Sequence, residues 1–89
     1  MELRLDSRLL DNKELLHKEI TKQMQLPLYY GENLDALWDI LTAWGNPLDI
    51  IIENCGESLA QMGEYGERVM QLFQEAEEEN SKLSVDFRL

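Results

Sequence analysis

Asp35 and Asp39 stand one helical turn apart in the stretch LPLYYGENLDALWDILTAW, from Leu26 to Trp44, and no lysine or arginine in that stretch neutralises them. Two carboxylates at that spacing could do three kinds of chemistry. They could divide acid and base work, they could hold a divalent cation, or they could bind the cations of a partner. Acid and base work needs a pocket that drives two carboxylates to different proton affinities, whereas these two fall on the polar face of the helix the segment forms. The partner reading therefore leads. The same segment holds both tryptophans and two of the three tyrosines, Tyr29 and Tyr30.

The element that must carry these acids is a helix beginning near Asn33. Asn33 suits an N-cap, because its short side chain can accept a backbone N–H of the first turn, and Gly31 before it suits a turn. Leu34, Leu37, Trp38, Leu41 and Trp44 then recur at helical spacing as an apolar stripe, centred on Leu34, Leu37 and Leu41. Asp35 and Asp39, with Thr42 beyond, share another face, where like charges four apart repel by about 0.2–0.5 kcal/mol. Asp35, in the first turn, is also explained by the positive end of the helix dipole. Asp39 lies beyond that help and has no basic residue three or four positions away. A partner contact is its better explanation. Trp38 and Trp44 flank the acidic face, and Tyr30 is the one of the tyrosine pair expected to turn inward.

The run YYGENLDALWDIL resembles the signature segment of the barstar family, intracellular inhibitors of barnase-type ribonucleases. Looser similarity extends over most of the chain, including Pro47 before a strand and an FxEA stretch from Phe73 to Ala76. The resemblance implies an α/β fold, a small three-stranded parallel sheet with helices packed around it. It also implies a basic ribonuclease as partner, met by an acidic helix and the loop before it. The implied contact positions are Tyr29, Gly31, Asn33, Leu34, Asp35, Trp38, Asp39, Thr42, Ala43, Trp44 and Glu75. Capping, packing and turn formation already account for Asn33, Leu34 and Gly31. Two positions depart from the namesake of the family: Ala43 replaces a glycine on the binding helix, and Ile40 a cysteine. A methyl at position 43 bears on the fit to a particular nuclease. The alternative function is an acidic interaction module for a basic protein that is not a ribonuclease.

Length and composition suit one small domain over residues 1–89, with 44% apolar residues for a single core. A formal net charge of −10 repels nucleic acid and membrane surfaces and attracts cationic partners. Direct nucleic-acid binding is not expected, and the free protein is expected to be monomeric. The longest aliphatic run, Ile50 to Ile52, is far short of a membrane span, and MELRLDSRLL lacks the apolar stretch of a signal peptide, so a cytoplasmic location is expected. The one cysteine, Cys55, fits a reducing compartment and reads as a small core filler. His17, the one histidine, reads as a surface or boundary residue of an early helix. No metal-ligand spacing, phosphate loop or nucleophile elbow is present, and no cofactor is implied.

The remaining elements follow from periodicity. Glu2 to Asp6 alternates as a strand. DNKELLHKEITKQM reads as an amphipathic helix with Leu16, Ile20 and Met24 on one face, opened by a capping box of Asp11 and Glu14 and ended at Leu26 and Pro27. Leu48 to Glu53 reads as a strand covered on both faces. Glu57 to Met62 reads as a short helical piece, and Glu64 to Glu79 as a longer helix with Tyr65, Val69, Leu72 and Ala76 inward. Leu83, Val85, Phe87 and Leu89 alternate in a last strand. Strands separated by helices argue for parallel pairing. Glu77 and Glu78 read as a solvated helix end, while Glu75 belongs to the site through the resemblance.

Overall fold

A computed structural model describes residues 1–10, 12–27, 30–58 and 63–89. The capping role expected of Asp11, the contact expected of Tyr29 and the end of the helical piece expected over Glu57 to Met62 lie outside the described residues. Three strands, β1 (Glu2–Asp6), β2 (Leu48–Glu53) and β3 (Leu83–Phe87), pair in parallel in the order β1-β2-β3. Between them run α1 (Lys13–Met24), α2 (Leu34–Thr42), a short α3 (Cys55–Ser58) and α4 (Glu64–Glu79), with a 3-10 turn at Ser7–Leu9. Parallel neighbours need long crossovers, and the helices supply them. The α/β architecture with a three-stranded parallel sheet is the one expected from the sequence.

Register places Leu3, Ile50 and Val85 side by side, and Leu5, Ile52 and Phe87 beside them. Because side chains alternate along a strand, these rows share one face of the sheet. Leu3, Leu5, Ile50 and Ile52 are almost wholly buried there, with Leu16 and Ile20 of α1, Leu37 and Leu41 of α2, and Val69, Phe73 and Ala76 of α4 in the same core. The other face is polar. Asp49 and Ser84 are exposed and Glu53 half-buried, and only Ile51 is buried, between its register partners Arg4 and Asp86. The apolar run in β2 therefore reflects one buried residue on the second face rather than a second layer of helices. Arg4 beside it forks to Glu2 and Glu53 at 3.2 and 3.0 Å.

Several local expectations are corrected. Asn12 caps α1, its side chain accepting from the Leu15 backbone N–H at 3.2 Å. Leu89 is 93% exposed, since β3 ends at Phe87. Glu77 is more than a solvated acid, because its carboxylate accepts the Val85 backbone N–H on the β3 edge at 2.6 Å. On the opposite edge the Gln23 side chain receives the Arg4 N–H and donates to the Arg4 carbonyl, both at 2.8 Å. Each outer strand thus has backbone groups covered by a helix side chain, which removes part of the template that exposed edges offer to other chains. His17 is the largest correction. It is 1% exposed, with each ring nitrogen on a tyrosine hydroxyl.

Candidate functional site

Helix α2 is fixed at both ends by asparagines. Asn33 accepts the Ala36 N–H at 2.8 Å, as its N-cap pattern requires, and donates to the Gly31 carbonyl at 3.2 Å. A Cβ on Gly31 would stand 3.1 Å from the Asn33 side-chain nitrogen, so glycine leaves room for the cap. The left-handed turn residue is Glu32, with φ of 50°, and not Gly31. At the other end Asn80, beyond α4, donates from its side chain to the Leu41 and Trp44 carbonyls at 2.9 and 3.0 Å. The Leu41 carbonyl also accepts the Trp44 backbone N–H at 3.2 Å, so Asn80 adds a second tie at the helix end and anchors the residue just beyond it. No local pattern ties Asn80 to a helix 36 or more residues earlier, and the sequence reading missed it.

With α2 held this way, Leu37 and Leu41 point into the core and Asp35 and Asp39 form an exposed crest. A groove runs on each side of the crest. One, of about 350 Å³, lies between α2 and α4 and is lined by Leu34, Asp35, Trp38, Arg68, Gln71, Leu72 and Glu75. The other, of about 410 Å³, lies between α2 and the loop before it and is lined by Leu26, Pro27, Tyr30, Gly31, Ala36, Asp39, Ile40 and Trp44. Each groove therefore has apolar walls, one tryptophan, and at least one carboxylate. The structure brings Glu75 to Asp35 and Trp38 across the helix interface, while Asp39 and Trp44 share the other side.

Among the described residues, Asp35, Asp39 and Glu75 make no ion pair, and Glu75 accepts a hydrogen bond from Gln71 at 3.1 Å. Arg68 is a cation that the sequence reading did not place in the site. It lines the groove of Asp35 and Glu75 but is held by Glu64 one turn back on α4, at 2.8 Å. An exposed pair of that kind is worth only about 0.3–0.5 kcal/mol, so Glu64 holds Arg68 weakly. Thr42 is half-buried and its hydroxyl is committed to the Trp38 carbonyl at 2.8 Å. Ala43 is exposed at the C-cap, and Leu34 and both tryptophans are half-buried. The Trp44 indole N–H is buried without an acceptor among the described residues.

Burial has chemical consequences elsewhere in the molecule. It raises the Cys55 thiol pKa, and the thiol donates weakly to the Ile52 carbonyl at 3.3 Å, in keeping with a filler rather than a nucleophile. Among the described residues no group of three or more His, Cys, Asp or Glu side chains converges as metal ligands, and no helix is long and apolar enough to cross a membrane.

Comparison with known proteins gives the family. The sequence profile of Barstar (barnase inhibitor) matches residues 1–89. The chain belongs to the barstar family. A curated relative from Bacillus subtilis (strain 168), named "Putative ribonuclease inhibitor YrdF", is 42% identical over 76 residues, 84% of either chain. The barstar-like elements expected from YYGENLDALWDIL and the FxEA stretch are therefore α2 with its entry loop, and the part of α4 that faces it.

Proposed function

We propose that this barstar-family protein inhibits a barnase-type ribonuclease by occupying its active-site cleft, with Asp39, Asp35 and Glu75 standing in for RNA phosphates. The observation that carries this reading is the crest of α2, where two carboxylates without ion pairs among the described residues sit between two tryptophan-lined grooves. A cleft that holds an anionic phosphate must present lysine, arginine or histidine, and a carboxylate array fits the same cations. Charge-assisted hydrogen bonds from arginine to carboxylate are among the stronger polar contacts, and bidentate geometry adds specificity.

Asp39 is the proposed anchor. It stands at the mouth of the larger groove, where Ile40, Trp44 and Pro27 would flank a cation bound there, and a pair that loses water as the complex forms attracts more strongly. Asp35 and Glu75 face a second cation across the α2 and α4 groove. Tyr29, Trp38, Trp44, Thr42 and Ala43 supply contact area, and the turn of Gly31, Asn33 and Leu34 sets the helix start. The net charge of −10 steers a basic enzyme toward the protein, an effect that weakens as salt rises. No bond in inhibitor or substrate is cleaved. The inhibitor acts in the cytoplasm as a monomer.

The test is a titration of the protein into an active barnase-type ribonuclease, following RNA cleavage. Stoichiometric inhibition, relieved by competing nucleotide, is expected. Asp39→Ala should cost more affinity than Asp35→Ala or Glu75→Ala, because central anchors dominate interfaces. Equal losses at the three positions would sink the ranking. A folded wild-type chain that inhibits no such enzyme would leave the acidic interaction module as the better reading.

A further inference from the structure

His17 has no part in the crest or its grooves, yet among the described residues it is the most completely enclosed polar ring. It sits on α1 at 1% exposure. Its Nδ1 lies 2.7 Å from the hydroxyl of Tyr30, in the loop entering α2, and its Nε2 lies 2.6 Å from the hydroxyl of Tyr65, in the first turn of α4. A neutral imidazole has one N–H and one lone pair, so one tyrosine must donate to it and the other accept. The surroundings decide which. Tyr30 is 7% exposed, and its hydroxyl has no second partner among the described residues. If it accepted from Nδ1, its own proton would be buried without an acceptor, which is costly. Tyr65 is only half-buried and can turn its proton to water. The consistent arrangement is Tyr30 O–H donating to Nδ1, with Nε2–H donating to Tyr65.

We propose that His17 is a positioning residue of the binding face: as the Nε2–H tautomer it holds Tyr30, and through Tyr30 the loop wall of the Asp39 groove. The proposal rests on the reading that this face binds a ribonuclease. Tyr30 and Gly31 line that groove together with Asp39. The Tyr30 N–H is bonded to the Pro27 carbonyl at 3.0 Å, and the Gly31 carbonyl accepts from the Asn33 cap. Fixing the Tyr30 ring therefore fixes the turn that starts α2. By holding Tyr65 as well, the same imidazole ties this turn to the start of α4, the helix that carries Glu75.

The brace is sensitive to acid. Protonation of Nδ1 takes away the acceptor of the Tyr30 proton and leaves that hydroxyl without a donor role in a buried site. Burial holds the imidazole neutral below its usual range, while the charge of Glu32 pulls weakly the other way. The groups that touch it are Tyr30 and Tyr65, both with hydroxyl pKa values raised chiefly by burial, and the Lys13 ammonium lies over the Tyr65 ring, 5.1 Å from its centre. The brace is thus intact at neutral pH and lost as the pH falls through the lowered imidazole pKa.

Two measurements test this. Long-range proton–nitrogen NMR of the free, 15N-labelled protein at pH 8 should show the Nε2–H tautomer of His17, and the Nδ1–H tautomer would overturn the assignment. Inhibition of a barnase-type ribonuclease is then compared among the wild type, Tyr30→Phe and His17→Asn. Tyr30→Phe keeps the ring and removes the hydroxyl, and should weaken inhibition about tenfold with unchanged helix content. His17→Asn places an amide oxygen near the Nδ1 position, so it should stay within about threefold of wild type while losing the acid step in affinity. Unchanged affinity in Tyr30→Phe, or an acid step that persists in His17→Asn, would refute the positioning role while inhibition by the wild type stands. Absence of inhibition by the wild type would instead remove the binding reading and the role that rests on it.

Discussion

If the crest of α2 is kept acidic for a partner, then relieving it should make the protein more stable and less active at once. The informative perturbation is Asp39→Lys. Asp35 and Asp39 repel across one helical turn by about 0.2–0.5 kcal/mol, and a lysine at position 39 would instead pair with Asp35 in the favourable orientation, gaining a similar amount, about 0.2–0.5 kcal/mol. Position 39 also lies in the C-terminal half of α2, where a cation complements the helix dipole and a carboxylate opposes it. The site is exposed, so neither burial nor packing offsets these gains. The sum is about 0.4–1 kcal/mol of added stability, which for a domain of this size raises the melting temperature by about 2–8 °C. Asp39→Asn, which removes the repulsion alone, should fall about halfway. Thermal unfolding followed by circular dichroism at low salt, and again at about 0.5 M salt, reads both the gain and its screening. The same preparations are titrated into the ribonuclease, where Asp39→Lys should abolish inhibition by placing a cation against a cationic cleft. A lowered melting temperature, or inhibition that survives the charge reversal, would refute the reasoning.

Three further outcomes follow from the fold. Phe73→Ala removes the largest side chain that α4 buries completely and should cost about 3–5 kcal/mol, measured by urea denaturation. A loss under about 1 kcal/mol would mean that the core collapses around the gap. The Arg8 guanidinium, chiefly by its hydrogen bonds, lowers the Asp6 carboxyl to about 2 from an ordinary 3.8. A depressed carboxylate contributes stability above its unfolded value that is lost as the pH falls from 3.8 toward 2, so Asp6→Asn should flatten the acid-unfolding profile in that window. Gln23→Ala uncovers the Arg4 N–H and carbonyl on the β1 edge, and should cost about 1–2 kcal/mol and promote self-association at high concentration, read by urea denaturation and light scattering.

Much of this chain is legible one residue at a time. Asn33 caps α2 because a short amide next to a turn can reach a first-turn N–H wherever the chain later folds. Periodicity placed Leu16, Ile20 and Met24 inward on α1, Leu37 and Leu41 on α2, and Val69, Leu72 and Ala76 on α4, since a helix or strand must bury the stripe that its own repeat creates. Composition set the sign of the charge, and hence the sign of any partner. These are local or global properties, and neither depends on which elements become neighbours.

The tertiary structure decided what depends on neighbours. His17 carries no sequence signal for burial, because its two hydroxyl partners lie 13 and 48 residues away. A polar ring enters a core only where such partners wait for it. Glu77 and Glu78 are adjacent acids in one helix, yet only Glu77 meets the β3 edge. Asn80 holds the end of α2 from beyond α4. The candidate site divides the same way. Sequence placed Asp35 and Asp39 on one face of α2, because helical spacing alone does that. Only the packing of α4 and the entry loop against α2 put Glu75 and Arg68 on one side of the crest and Tyr30 and Trp44 on the other. Spacing within an element fixes which groups share a face, and contacts between elements fix what each face meets.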